Sequence, residues 1–242
     1  NRGAAALRFR GAEKMDFEYI WGLVPQLASG MGITLNIFFA TLLLSLPLGL
    51  LLSLGRISKL RPLSGAIGLY LLIFRGTPLM LQLFFMYFGL PFIKIPNLFT
   101  GGMIKLAPDK YTAALLAFVL NYAAYFAEIF RGGIIGVQKG QYEAAKALGL
   151  NYGQTMRLVV IPQMLRSIVP PVANEAIVLV KDTALVSSIA LIDILRCAQQ
   201  AVNRDMNAAA YVVVAVFYLI FTLLLTKLFE YIEKRLSISS QA

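Results

Sequence analysis

The sequence predicts an all-α membrane protein with five transmembrane helices. Three observations carry that prediction. Of the 242 residues, 59% are hydrophobic and only 14% charged, whereas a soluble domain carries roughly a quarter charged residues. The apolar residues fall into runs long enough to cross a hydrocarbon core about 30 Å thick. Shorter segments rich in charge separate those runs. The formal net charge is +10 with no histidine. In a membrane protein such an excess belongs to orienting loops and does not imply nucleic-acid binding. The single cysteine, Cys197, excludes an intrachain disulfide, and without histidine the chain lacks the usual donors for zinc, haem or iron–sulfur.

Residues 1–16 are a basic leader containing Arg2, Arg8, Arg10 and Lys14, without the apolar core and cleavage site of a signal peptide. They read as an N-terminal extension, either natural or added ahead of a start at Met15. Residues 17–235 form a single transmembrane domain, and 236–242 a C-terminal tail. Phe17 to Leu27 read as a short amphipathic segment at the membrane surface, with Trp21 as an interfacial anchor. The first span is 31–54, whose 24 residues cover about 36 Å as a helix. Arg56, Lys59 and Arg61 follow it at once.

Residues 63–93 are apolar but too long for one straight span, and Arg75-Gly76-Thr77-Pro78 interrupts them. An arginine at mid-bilayer costs about 2.5–3.5 kcal/mol. Thr77 suits an N-cap and Pro78 a first helical position. The pattern favours an elbow helix over 63–74 and a second span over 78–93; one tilted helix kinked at Pro78 is the alternative. Residues 91–110 form a loop rich in Pro and Gly. The third span, 111–130, carries Asn121, Tyr125 and Glu128 at i, i+4 and i+7, on one helix face. A polar segment, 131–166, precedes the fourth span, 168–191, which opens with Pro170-Pro171. A loop over 192–207 leads to the fifth span, 208–229.

Five spans put the two ends on opposite sides. Segments 55–62, 131–166 and 227–242 hold three, five and three Lys or Arg, against three and two in 91–110 and 192–207. The positive-inside rule therefore places 131–166 and the C-terminus in the cytoplasm. The basic leader pulls the other way.

The missing motifs narrow the chemistry. There is no Gly-x-x-x-x-Gly-Lys-Ser/Thr phosphate loop, no Gly-x-Ser-x-Gly elbow and no His-Glu-x-x-His pattern. A Ser–His pair is impossible. The chain does not read as an enzyme. What remains are the polar groups inside the spans, which usually face a bundle interior or a water-filled cavity. Glu175 and Asp182 lie two turns apart on one face of the fourth span, and Asn174 and Lys181 share a neighbouring face. Glu175 reads as a cavity-lining carboxylate, while Lys181 and Asp182 either line the cavity too or pair near a helix end. Glu128, close to Arg131, reads as an interfacial ion pair. Asn121 and Tyr125 either line the same cavity or bond between helices.

The polar segment centres on Gly140 to Gly149. Glu143 to Leu148 are mostly strong helix formers, and Gly149 is placed to end the helix in a left-handed cap. A second helical pattern, 154–161, is stopped by Pro162. Such a hairpin is either a solvated connection or a docking element for a soluble partner.

These residues carry a resemblance. Glu143-Ala144-Ala145, then Gly149, then Val159, Ile161 and Pro162 resemble the "EAA" loop of bacterial ABC-importer permeases, whose pattern is Glu-Ala-Ala, three residues, Gly, nine residues, Ile, one residue, Leu-Pro. Val159 and Ile161 replace the expected isoleucine and leucine. Arg75-Gly76-Thr77-Pro78 with Gln82, Tyr87 to Pro91, Tyr125 with Glu128 to Gly133, and Asn174-Glu175 with Lys181 to Leu185 are similar to the polar amino acid permeases. Arg204 to Tyr211 is similar to a stretch in permeases for histidine and other basic amino acids. The resemblance covers roughly residues 17 to 235.

It implies a type I ABC importer core with a cytoplasmic coupling helix. Two permeases, identical or homologous, would form the pathway in the bacterial inner membrane. ATPase subunits would bind Glu143, Ala144, Ala145, Gly149 and Pro162, and would hold ATP and magnesium; no cofactor belongs to this chain. A periplasmic or lipid-anchored binding protein would deliver the amino acid. Glu175, Asn174, Asn121, Tyr125, Asp182 and Lys181 are the pathway candidates, with Arg75, Thr77, Pro78 and Glu128 as structural or pathway residues. An ion-gradient-driven transporter is the alternative suggested by the interrupted spans near Pro78 and Pro170-Pro171, although the chain lacks matched halves. A non-transporting scaffold or sensor is the third reading.

Overall fold

The computed structural model describes residues 17–96 and 103–238. The leader 1–16 and the end of the tail lie outside the described residues. The first helix, α1, is Phe17–Ile57. It merges the expected surface segment and first span into one rod of 41 residues, about 61 Å long and twice the hydrocarbon thickness. Trp21 remains exposed along it.

Next come α2 (Arg61–Gly76) and α3 (Leu79–Phe84), α3 continuing through a π turn and a short 3₁₀ turn to Phe92. The two meet at 105°, with the break at Thr77 and Pro78. Thr77 is not the N-cap. Its hydroxyl donates to the Ile73 carbonyl at 2.7 Å, and it is Pro78 whose carbonyl accepts from the Gln82 N–H at 3.2 Å. The proline thus precedes the helix rather than opening it.

The loop after Phe92 contains a small antiparallel hairpin, β1 (Lys94–Pro96) with β2 (Met103–Lys105), pairing Lys94 with Lys105. Then α4 (Lys110–Gly136) supplies the third expected span. It is followed by α5 (Lys139–Ala147), α6 (Tyr152–Thr155) with a π turn over Met156–Val160, and α7 (Ile161–Asp182). Pro162 does not stop the second helical pattern. It is the second residue of α7, directly after the π turn, and the chain stays helical from Tyr152 to Asp182. A 3₁₀ segment, Thr183–Ile189, extends it.

The expected loop 192–207 is mostly helix, α8 (Ile194–Asp205), and α9 (Ala209–Ile238) closes the fold. Among the described residues, three helices are long and apolar enough to cross a membrane, corresponding to α1, α4 and α9, and α2 with α3 makes a bent fourth. The prolines and polar residues of α7 keep it below that apolarity, as its content of Pro170, Pro171, Glu175, Lys181 and Asp182 predicts.

Two compact units partition these elements. The first comprises the described residues of Asn1–Ala40, Leu83–Leu115 and Leu179–Leu223. Its core joins Leu23 and Leu27 of α1 to Ile194, Cys197, Ala198 and Ala201 of α8 and to Ala210 and Val214 of α9. The spacing of the α8 residues, i, i+3, i+4 and i+7, is that of an amphipathic helix. Gly30 lets α1 approach closely: a Cβ there would stand 2.6 Å from the Asp193 backbone. Thr34 completes the contact, its hydroxyl donating to Gly30 O and accepting from the Ile194 N–H, each at 3.2 Å. Asp193 caps α8 by accepting from the Arg196 N–H at 2.8 Å, while its other oxygen is buried without a partner.

Burial pushes the Asp193 carboxyl up to about 6. The folded chain therefore holds this proton more tightly than the unfolded chain does. Asp193 thus contributes stability that is present below about pH 4 and lost as pH rises through about 6, a swing of about 3 kcal/mol. Thermal unfolding of the purified permease across that range should show the decline. Asp193→Asn, which keeps a capping side chain, should flatten it.

The second unit comprises Thr41–Gln82, Leu116–Val178 and the described residues of Leu224–Ala242. Here Ile67 and Leu71 of α2 meet Ala124 and Ala127 of α4, with Leu52, Tyr70 and Phe74 around them. Small residues let the helices close, as in membrane bundles generally. Gly49 of α1 serves the same end, since a Cβ there would lie 2.7 Å from Phe126 Cβ.

Candidate functional site

The second unit brings most of the sequence-derived candidates into two clusters, Asn174, Glu175, Lys181 and Asp182 excepted. The first is an arm made of α5, α6 and the start of α7. Glu143, Ala144 and Lys146 are exposed along α5, and Ala145 is buried behind them. Gly149 has φ +76°, the left-handed conformation expected. The Leu150 N–H reaches back to Ala145 O at 3.1 Å and the Gly149 N–H to Lys146 O at 3.0 Å, a complete Schellman cap. Asn151 then starts α6 with a capping box, exchanging bonds of 3.0 and 2.9 Å with Gln154. These adjacent caps fix the turn between two short helices with little freedom left. Leu148, Tyr152 and Leu158 stand out from the arm 80%, 78% and 62% exposed.

The arm is tied to the helices beside it. Gln163 donates to Gln141 at 2.9 Å, and Arg166 donates to the Leu236 carbonyl of α9 at 3.2 Å. Gly133 of α4 lies so close to α7 that a Cβ would meet Ile168 Cγ2 at 2.2 Å. A cavity of about 610 Å³ opens beside it, its lining including Gly132, Gly136, Gln141, Gln163, Ser167 and Pro171.

The second cluster gathers the i, i+4, i+7 face of α4 at the break between α2 and α3. Asn121 is 4% exposed. Its two amide hydrogens go to Phe74 O at 2.9 Å and Gln82 Oε1 at 3.0 Å. Gln82 in turn donates to Phe74 O, Thr77 O and the Thr77 hydroxyl at 2.9, 3.1 and 2.8 Å. These bonds satisfy carbonyls that the end of α2 leaves open. Tyr125 lies under the Arg75 guanidinium, 5.5 Å from its centre. Glu128 takes Arg131 in a bidentate pair at 3.1 and 2.7 Å and stands 3.8 Å from Arg75.

Asn121 therefore braces the bend with both its donors, bonding between helices as one of its two sequence readings has it. Gln82 is the residue that sequence reasoning left without a role, although it stands in the stretch that carries the resemblance and just inside α3 after the Pro. On α7, Asn174 is exposed and Glu175 half-buried, with Lys181 exposed and Asp182 half-buried farther along. Among the described residues no group of His, Cys, Asp and Glu is arranged to hold a metal ion.

A bent apolar helix pair, long apolar helices and a capped polar arm define a helical integral membrane protein. Comparison with known proteins names the family. Residues 45–238 match the model of the binding-protein-dependent transport system inner membrane component, and the chain belongs to that family. It is 38% identical over 223 residues to the arginine transport system permease protein ArtQ of Bacillus subtilis (strain 168), covering 92% of this chain and 97% of that one. It is 34% identical to the glutamine transport system permease protein GlnP of Escherichia coli (strain K12), covering 93% and 99%. A crystal structure of an amino acid ABC transporter with histidines superposes with a TM-score of 0.79 at 33% identity, covering 92% of this chain and 99% of that chain. The chain has the type I importer fold and is a permease subunit of the amino-acid ABC importers, with no enzymatic activity of its own.

Proposed function

We propose that this permease imports a basic or amide amino acid, moving it into the cytoplasm when α5 is driven by ATPase subunits that hold ATP and magnesium. The single observation that supports the coupling role is the arm: an exposed Glu143–Ala144 surface, with Leu148, Tyr152 and Leu158 exposed on the same arm, joined through one capped turn to the continuous helix that runs into α7. Small side chains on α5 suit entry into a cleft on an ATPase, and exposed apolar residues around it suit a docked partner better than a solvated loop. Driven motion requires contacts that differ between two states, and a docked helix supplies them. The reading places this arm and the C-terminus in the cytoplasm, on the side with more Lys and Arg. A second permease, identical or homologous, completes the pathway, and a binding protein delivers the amino acid from the other side.

For the substrate, the reading rests on Glu175 with Asn174 on α7. A carboxylate inside a membrane helix usually faces a bundle interior or a water-filled cavity, and it suits an ammonium or a basic side chain. The names of the relatives above, arginine and glutamine permeases, support a basic or amide substrate. In the reconstituted importer, Glu175→Gln should raise the arginine or lysine concentration for half-maximal ATPase stimulation at least about tenfold, the loss of roughly one charged contact. Unchanged affinity for every amino acid tried would remove Glu175 from the pathway.

A further inference from the structure

A second cavity, about 500 Å³, lies against α1, α2 and α4 in the second unit, with Arg56, Gly68, Leu72, Arg75, Glu128 and Arg131 in its lining. Its charge does not balance. Three guanidiniums share one carboxylate, and Arg131 already takes both oxygens of Glu128. Two positive charges are left in a concave site.

The guanidiniums are held rather than loose. Arg56 donates from Nη1 to Ser64 O at 3.1 Å and to the Ser64 hydroxyl at 2.7 Å. It lies over Gly68, where an added Cβ would come within 3.3 Å of its Cζ. Arg75 is fixed over the Tyr125 ring, with its side chain 43% exposed. A guanidinium has five N–H donors in a planar fork that matches phosphate oxygens, and the bonds above use only part of that set. Leu72 lines the cavity, and it belongs to an exposed apolar strip along α2: Leu69, Leu72 and Ile73, at i, i+3 and i+4, are 59%, 70% and 49% exposed. Arginine forks beside an exposed apolar strip fit a phosphate that carries acyl chains.

We infer that this cavity binds a phosphate group, whose source is either the headgroup of an anionic phospholipid or free inorganic phosphate. Glu128 borders both this cavity and the one beside the arm, but no residue of the arm lines this site and neither does Glu175, so it does not depend on the identity of the transported amino acid.

The test uses the purified full-length permease in its transporter complex. Native mass spectrometry would measure retention of dioleoyl phosphatidylglycerol against dioleoyl phosphatidylcholine, and equilibrium dialysis would measure labelled inorganic phosphate. Phosphatidylglycerol should be retained about tenfold better than phosphatidylcholine, and Arg56→Gln or Arg75→Gln should each remove most of that preference. Glu128→Gln removes the competing carboxylate and should raise retention several-fold, a gain that misfolding cannot produce. Phosphatidylglycerol binding that millimolar phosphate does not displace assigns the lipid, and phosphate binding with the same dependence on Arg56 and Arg75 assigns the free anion. Equal retention of the two lipids with no phosphate bound would overturn the site. So would anion binding indifferent to both arginines, or weakened by Glu128→Gln.

Discussion

Gly149→Val should reduce amino-acid uptake by at least an order of magnitude while the permease still reaches the membrane. The glycine holds φ +76°, a conformation that costs an L-residue about 1–2 kcal/mol and a β-branched one more. A valine there would abandon the left-handed cap, releasing the bonds from Leu150 to Ala145 and from Gly149 to Lys146. The exit from α5 would then lose its fixed direction, and the exposed Glu143–Ala144 surface would no longer be presented at one angle. Gly149→Asn is the control, since asparagine tolerates the left-handed region; it should retain most of the uptake. Glu143→Ala, which leaves the cap intact, should keep the fold and lose stimulation of the ATPase. Uptake in reconstituted vesicles, with membrane abundance measured in parallel, checks all three. Normal transport by both Gly149→Val and Glu143→Ala would remove the arm from coupling.

Asn121→Leu should destabilise the permease by about 1–3 kcal/mol, the penalty for a buried polar group left without its partner. The group stranded is Gln82 Oε1, which Asn121 satisfies at 3.0 Å, at a position where Gln82 is only 8% exposed. The 105° bend would lose one of its two side-chain braces at the Phe74 carbonyl. Replacing both residues, Gln82→Leu with Asn121→Leu, should do less harm than the sum of the single changes, because neither is then left facing an unsatisfied partner. Thermal unfolding of the four proteins gives the cycle. A loss of substrate affinity in Asn121→Leu at unchanged stability would return Asn121 to the pathway.

The features most legible in the sequence were those that a single residue type dictates. Gly149 predicted its own left-handed cap, and the Arg75–Pro78 interruption predicted the break. The pairing of Glu128 with Arg131 followed from spacing on one turn. Other features depend on what the chain meets in space. Asn121, Tyr125 and Glu128 were placed on one face, but only the structure shows that this face meets the end of α2. Pro162 reads as a stop by local rules, yet a π turn just before it shifts the bonding so that the helix continues. The helix α8 was hidden for a different reason. Its polar face of Gln199, Gln200, Asn203 and Arg204 suggests a loop, while its apolar residues fall at i, i+3, i+4 and i+7, a periodicity that was there to be read.

The unbroken run from Tyr152 to Asp182 has a mechanical meaning. At 1.5 Å per residue it is a lever about 45 Å long, and a tilt of about 10° at its base would carry its far end about 8 Å. No slack loop intervenes to absorb the stroke. The lever is compliant where prolines interrupt its ladder, at Pro162 just after the π turn and at the Pro170-Pro171 pair. Pro170 and Pro171 have no N–H to offer, so the carbonyls of Arg166 and Ser167 lack their helical donors, and bending stiffness is lowest across that turn. Ser167 and Pro171 border the cavity of about 610 Å³, so the soft turn has open space beside it to flex into, one turn short of Asn174 and Glu175.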